Sequence, residues 1–516
     1  MHSHEGCCGC SSHSMGRRSF LASVGGGAAA TAILSGCETV SNVPIAAAVP
    51  AIHRVPSLKR KCLTVQPALT CQVYERREAT SWRPWGGLHT NADIEAEMAR
   101  ITADLKDMQA KAEFPLEFRS IVRVSDTAAA DALREGDADV MLVYGAAGEI
   151  EPLISPKRHN IVFVRHKSGP VYLWYEIAHP RLLRKTVDEW GQPGLEPMDV
   201  VVDSNDDVLW RLRALSALKS TVGCRIVAIG DASGWGAGGQ KAPKIAADQW
   251  KMDIRPVSYD DLGPRIQAAR ADAASMKRAE SAAAEYLKQP RTKLETKHDY
   301  VVGAFVLRDI FVTLMAEHDA PAMTINNCMS AIMPMSNTTA CLTLSVINDD
   351  GMMAFCESDF VVIPSGVLLH YISSVPVFLQ DPTYPHHGVI TLAHCTAPRR
   401  MNGRKNEPVR LMTHFESDYG AAPKVDMTVG QTVTVIDPDF ENKKWVGFRG
   451  TIKDNPFLDI CRSQVDVAIE GDCDMLAQEM RGFHWMLAYG DHLKETGYAL
   501  HKLGVPFYDL TANRLA

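Results

Sequence analysis

Apolar and polar positions follow two rhythms along this chain, and the rhythm changes near residue 390. Between residues 58 and 215, short apolar or β-branched runs (KCLTVQPAL at 61–69, FRSIVRV at 118–124, DVMLVYG at 139–145, then HNIVFVRH and PMDVVVD) are separated by helical stretches. The clearest helix is NADIEAEMARITADLKDMQAKA, where Ile94, Met98, Ile101 and Leu105 recur at the three-to-four-residue interval of one helix face. Apolar strands alternating with helices predict a mostly parallel sheet covered on both faces. The same alternation runs from 216 to 390, through CRIVAIG, the alanine-rich helix RIQAARADAASMKRAESAAAEYLKQ, the helix HDYVVGAFVLRDIFVTLMAEHD and the run GMMAFCESDFVVI.

Beyond this point the segments GVITLAHC, PVRLMTHF, VDMTVGQTVTVIDPD, KKWVGFRGTI and RSQVDVAI are short, β-rich and bounded by turn residues. They predict an antiparallel sheet or small barrel. Helical spacing returns over 474–503, which includes GFHWMLAYGDHLKETGYALHKLG. The expected fold class is α/β: two doubly wound α/β domains (58–215 and 216–390), then a β-rich C-terminal domain (391–516) that ends in a helix.

The first 37 residues read as an address. A polar stretch leads to Arg17 and Arg18 in GRRSFL, and the apolar run LASVGGGAAATAILSG ends at Cys37. That run is too short and too rich in glycine to span a bilayer comfortably. It fits a twin-arginine export signal over 1–37 in which LSGC acts as a lipobox and Cys37 becomes the acylated residue. Residues 38–57, rich in valine, alanine and proline, then form a tether. The expected partners are the twin-arginine export machinery and a membrane held through lipid, where each buried CH₂ contributes roughly 0.8 kcal/mol. The expected location is periplasmic or cell-surface. That export route carries proteins already folded, which favours a cofactor inserted beforehand.

Composition narrows the class. The chain is 46% hydrophobic and 22% charged, as in a soluble globular protein. A net charge of −7 and the lack of a basic stripe argue against nucleic-acid binding. The cysteines beyond Cys37 are scattered and odd in number, unlike a disulfide framework.

Candidate chemistry concentrates at Cys356-Glu357-Ser358-Asp359, directly after the apolar MMAF. If the strand continues, alternation places Glu357 and Asp359 on one side, at the carboxyl end where α/β sheets bind ligands. Such a pair serves a divalent cation or acid–base work; equally, it caps the following helix. Asp381 and the histidines His370, His386, His387, His394 and His414 follow. Of these, His394 is the candidate ligand, His386 and His387 suit a substrate-lining loop, and His414 suits a structural role. In RGFHWMLAYGDH, His484 is a second candidate ligand and Trp485 offers a ring to a sugar face, although Met486, Leu487 and Tyr489 equally form a helix core stripe. No spacing matches HExxH or a zinc finger. The loop DASGWGAGGQK can turn backbone N–H groups toward an anion or sugar hydroxyls, but it lacks both nucleotide-binding glycine patterns.

The segments ACLTLSVINDDGMMAFCESDF, PVFLQDPTY, His394-Cys395, VDMTVGQTVTVI and GFHWMLAYGDH together resemble the fucose/arabinose isomerase superfamily, especially its divergent isomerase-like members. The resemblance implies two α/β domains with a β-rich third, a trimer or hexamer, Mn²⁺ (with Mg²⁺ or Zn²⁺ as alternatives), and aldose–ketose interconversion. It implies metal binding by Asp359 with Glu357 beside it, by His484 and by His394. In those enzymes a further glutamate precedes the aspartate. Here the corresponding AIMPMSNTTACL has no carboxylate, and Asn327 is among the polar groups left nearby. The expected function is therefore metal-dependent, isomerase-like proton transfer on a carbohydrate, with Glu357 or Asp359 as the proton carrier and His386, His387, Trp485 and Asn327 lining the substrate. The alternatives are metal-dependent glycoside cleavage by Glu357 with Asp359 or Asp381 as the acid and base and carbohydrate binding without catalysis.

Overall fold

The computed structural model describes residues 60–184 and 191–515. The export signal, Cys37 and the 38–57 tether lie outside the described residues. Among the described residues no helix is long and apolar enough to cross a membrane.

The fold is mixed α/β, with two parallel sheets and a closed antiparallel barrel. In the first sheet Leu63–Thr70 pairs with Leu116–Phe118, Val122–Val124 and Val140–Gly145, and the sheet extends through His159–Val164 to Val200–Val202, all parallel. Every residue of Val140–Gly145 is buried, which explains its unbroken apolar run. The helix Asn91–Lys111 starts with a capping box: the Thr90 hydroxyl accepts from Asp93 N, and the Asp93 carboxylate accepts from Thr90 N. Its buried face includes Ile94, Ile101 and Leu105, as the spacing predicts.

The second sheet has the order Met353–Cys356, Ala322–Ile325, Arg225–Ile229, Asp253–Val257, again all parallel. The alanine-rich segment forms two helices, Tyr259–Ala271 and Ala273–Lys288, where the sequence predicts one. The break falls at Asp272, whose carboxylate accepts from Ala274 N and Ser275 N and so starts a new helix.

Six antiparallel strands close the barrel in the order Thr432–Asp437, Trp485–Tyr489, Phe378–Pro382, Val389–His394, Ser463–Glu470, Trp445–Asp454, and the last pairs back with the first. The first of these strands in the chain, Phe378–Pro382, precedes the expected change at 391. Trp485–Tyr489 corrects a helical expectation. All five of its residues are buried, and helical spacing matches a short apolar run as readily as a central strand does. The helices on either side, Cys473–Glu479 and Leu493–Leu503, supplied the rest of that pattern.

Two hydrophobic cores hold these parts, and neither is confined to one sheet. One joins the first sheet and the helix Asn205–Thr221 to Phe355, Val367 and the barrel residues Trp445 and Met486. The helix Ile363–Ser373 sits at this junction. Gly366 packs so closely that an added Cβ would lie 2.5 Å from Phe355 Cε1 and 2.6 Å from Met486 Cε.

Candidate metal centre

The centre forms where the carboxyl end of the second sheet meets one end of the barrel. Strand pairing supplies three of its side chains. Gln380 pairs with Trp485, so Asp381 and His484 are the next residues on adjoining strands; Asp381 in turn pairs with Ala393, one residue before His394. The sheet supplies the fourth, Glu357, directly after Met353–Cys356.

The distances describe one compact group. Glu357 Oε1 is 3.7 Å from His394 Nε2, and Glu357 Oε2 is 3.6 Å from His484 Nε2. His484 Nε2 lies 3.2 Å from Asp381 Oδ1. Single donor atoms of Asp381, His394 and His484 all lie within 4.8 Å of one another, as do those of Cys356, Glu357 and His394. Both imidazoles are buried, whereas the Glu357 and Asp381 side chains keep about a third of their surface exposed (32% and 34%). A ligand can therefore reach the carboxylates while the histidine nitrogens stay dry beneath them.

Electrostatics follow from this burial. Desolvation opposes charge on Glu357, but His394 and His484 outweigh it and hold the carboxyl down to about 2. Desolvation likewise opposes charge on His394, yet Glu357 and Asp381 push it up to about 10. Asp381 moves the other way: burial raises its carboxyl above the usual range despite the two histidines. Asp381 Oδ1 and His484 Nε2 are buried and make no hydrogen bond, although they face each other. Paired orphan atoms of this kind call for an explanation. A cation on the two imidazole nitrogens and the Glu357 carboxylate satisfies His484 Nε2 and leaves Asp381 Oδ1 for a bound group, and such a mixed donor set suits Mn²⁺ or Zn²⁺.

Asp359 is placed differently from Glu357. The strand ends at Cys356, and Glu357 and Ser358 both turn left-handed (φ 63° and 47°), so strand alternation does not relate the two carboxylates. Asp359 is fully buried and lies against Nδ1 of His484, 2.8 Å from Oδ2, on the ring edge away from Glu357 and Asp381. Its Oδ1 accepts from Trp235 N at 3.3 Å and Val361 N at 3.1 Å. Asp359 thus orients a candidate ligand and is not grouped with the metal donors.

The expected substrate-lining residues are not gathered here. His386 and His387 are exposed at the turn of the 378–394 hairpin, where His386 bridges to Val389. Five residues at about 3.4 Å each put Val389 roughly 17 Å from His394 along the strand. Trp485 is fully buried, donates its indole N–H to Gly482 O and packs edge-on against Phe448, so its ring is in the barrel core. Asn327 is exposed and left-handed (φ 50°), just past the neighbouring strand Ala322–Ile325. His414 is buried, with Nδ1 3.3 Å from Ser417 Oγ.

Two aromatic residues without an assigned role flank the centre instead. Trp235 and Phe483 stack with ring centroids 4.7 Å apart and planes 11° from parallel, and both remain exposed (43% and 48%). Both rings also meet His484 edge-on. Trp235 belongs to the glycine-rich loop after Arg225–Ile229. Ser233 N donates to Ser358 O and Phe360 N donates to Ser233 O, which pins that loop onto the Glu357 turn. The sequence signal was a lone tryptophan among glycines.

No protein-family model matches this chain, and no curated protein matches it.

Proposed function

We propose that this protein is a metal-dependent, isomerase-like enzyme that moves a proton between adjacent carbons of a sugar. The observation that carries the reading is the compact group of Glu357, Asp381, His394 and His484, with two buried, unbonded atoms facing each other at 3.2 Å. Architecture agrees: two parallel α/β sheets, read as two doubly wound domains, followed by a β-barrel, are the arrangement that the isomerase resemblance implies.

In this reading Glu357, His394 and His484 hold the cation, with Mn²⁺ the favoured ion. When bound, the ion polarises a sugar carbonyl and its neighbouring hydroxyl and stabilises the negative charge that develops on them. Glu357 contributes a carboxylate that stays ionised across the physiological range. Asp359 holds the His484 ring so that Nε2 points into the site. Asp381, with its carboxyl raised by burial, is the group able to accept and return a proton. It takes the proton from the hydroxyl-bearing carbon beside the carbonyl and delivers it to the former carbonyl carbon, while the hydroxyl proton passes to the former carbonyl oxygen. The exposed Trp235–Phe483 stack offers an apolar face for the C–H side of a sugar ring. These two rings and Asp381 take over parts of the site that the absent upstream glutamate and the displaced histidines leave open.

An exported, lipid-anchored protein in the periplasm or at the cell surface, assembled as a homo-oligomer, completes the proposal; the arginine pair and Cys37 of the sequence support the export part of it.

The test is conversion of free sugars by the metal-stripped protein restored with Mn²⁺. Proton exchange at C2, followed by NMR in D₂O, reports the chemistry even where equilibrium hides net conversion. A broad aldose and ketose panel with neither exchange nor isomerisation would remove the proposal. Release of new reducing ends from glycosides would point to cleavage instead, and saturable binding without a product to a carbohydrate-binding protein.

A further inference from the structure

Behind His394 lies a second cluster, built mainly of sulfur. Its members come from four separate elements: Cys341 opens the helix Cys341–Asp349, Cys395 follows the strand Val389–His394, His414 follows Val409–Met412, and Cys461 precedes Ser463–Glu470. Cys341 Sγ and Cys395 Sγ are 3.3 Å apart. One donor atom from each of Cys341, Cys395 and His414 lies within 4.8 Å of the others. Cys461 is an electrostatic neighbour of Cys395 but lies outside that group.

The cluster has the surroundings of a built site. Cys341, Cys395 and His414 are 2%, 5% and 5% exposed, and Ala422 packs against the two sulfurs. Ser417 Oγ contacts Nδ1 of His414, the kind of outer contact that fixes the ring orientation of a ligating imidazole. Thiols placed for packing alone are usually inert and isolated; here two converge on one imidazole.

We propose that Cys341, Cys395 and His414 form a structural site for a thiophilic d¹⁰ cation, Zn²⁺ or Cu⁺, which draws in Cys461 as the fourth donor. Three sulfurs and one nitrogen are the soft donor set that such ions prefer, in contrast to the nitrogen–oxygen set around Glu357. Each thiol that binds releases its proton to solvent, and no electron is transferred. Four protein donors leave no open position, so the site supports structure. It ties the helix, the barrel and the three-stranded sheet of Thr292–Leu294, Val409–Met412 and Ala422–Val425 together. Cys395 also adjoins His394, with Sγ 3.9 Å from Nδ1, so an ion here fixes the strand end that carries a candidate ligand of the other centre. The proposal goes beyond the sugar chemistry and does not depend on it.

The experiment titrates the full-length, reduced, metal-stripped protein with Co²⁺ and follows sulfur-to-cobalt charge-transfer absorption. We expect one equivalent to develop the band, Zn²⁺ or Cu⁺ to displace it, and the more effective competitor to identify the ion. C341A and C395A should abolish the band, whereas E357Q and C356A should keep it, which separates this site from the first. Because C341A and C395A alter the core, C461A and H414Q provide the second arm, weakening Co²⁺ binding at least tenfold with unchanged circular dichroism. Absence of the band while the thiols titrate as free overturns the proposal. So does a band lost in C356A but retained in C341A, or a Cys341–Cys395 disulfide that resists reduction in the folded protein.

Discussion

Asp359 and His484 form a fully buried carboxylate–imidazole pair, with Oδ2 2.8 Å from Nδ1 and the opposite ring nitrogen turned toward Glu357 and Asp381. With the proton on Nδ1, the Nε2 lone pair is the one offered to the site. Replacing Asp359 therefore weakens the centre without removing any of its donors. D359N is expected to lower Mn²⁺ affinity about 10–100-fold, the usual cost of losing such an outer partner. Calorimetric titration of the stripped protein checks this, and affinity unchanged from wild type would deny Asp359 an orienting role.

Glu357 and Asp381 should separate when each is neutralised. Glu357 is the carboxylate held ionised by two histidines, so E357Q is expected to lose bound metal and activity together. Asp381 is the carboxylate raised by burial, so D381N should retain metal while turnover falls about 10²–10⁴-fold, the range of a lost acid–base group. Metal content and turnover measured on the same preparations decide. Equal metal loss in both variants would make Asp381 a ligand rather than the proton carrier.

Much of this centre was legible in the chain, for reasons that can be named. Glu357 follows an apolar run that is in fact a buried parallel strand, and ligand sites lie at such carboxyl ends. His394 follows VITLA for the same kind of reason, at the end of a barrel strand. The strand pairing that sets Asp381 beside His484 was not legible, because it joins residues about a hundred positions apart and no local pattern encodes it. Asp359 was read as Glu357's equal because period-two alternation was extended past Cys356, where the backbone turns left-handed. Trp485 and Trp235 show the complementary difficulty. Trp485 stands beside polar His484 and Trp235 among glycines, and only the fold buries the first and exposes the second. The sulfur cluster was invisible for a similar reason: its cysteines are scattered, and scatter argues against a scaffold only until the chain folds.

The aromatic stack at the mouth should act on substrate binding more than on chemistry. Trp235 stacks on Phe483 with both rings exposed, and its backbone N–H, which supports Asp359, survives substitution. W235A is expected to raise KM for the sugar about fivefold, equivalent to roughly 1 kcal/mol of lost ring contact, with kcat little changed. W235F should recover most of it. A large fall in kcat at constant KM would mean that Trp235 serves the Glu357 turn rather than the substrate.

Gly366 tests the junction between sheet and barrel. A Cβ there meets Phe355 and Met486 at separations that real side chains do not tolerate. G366A is expected to destabilise the protein by about 1–3 kcal/mol through overpacking. Urea denaturation followed by tryptophan fluorescence measures it. Wild-type stability would show that the helix Ile363–Ser373 shifts freely, contrary to its burial on every face.

Acid sensitivity should come partly from a histidine outside the candidate metal centre. His370, in the same helix, is buried, and desolvation together with the nearby Arg60 guanidinium pushes it down to about 3, against about 6.5 in an unfolded chain. A depressed histidine is neutral in the fold, so its favourable share of stability is fully present above about pH 6.5. Between that pH and about 3 the unfolded chain takes up a proton that the folded chain refuses. Stability then falls as pH drops, by up to about 1.4 kcal/mol per pH unit for this one group. His159, pushed down to about 4 by burial and by Lys502, acts in the same direction. H370Q removes one of the two contributions. Its denaturation midpoint should therefore fall less steeply than wild type between pH 6.5 and 4.5, whatever the variant's stability at pH 7.5. Parallel curves for the two proteins would mean that His370 takes up its proton in the folded state as readily as in the unfolded one.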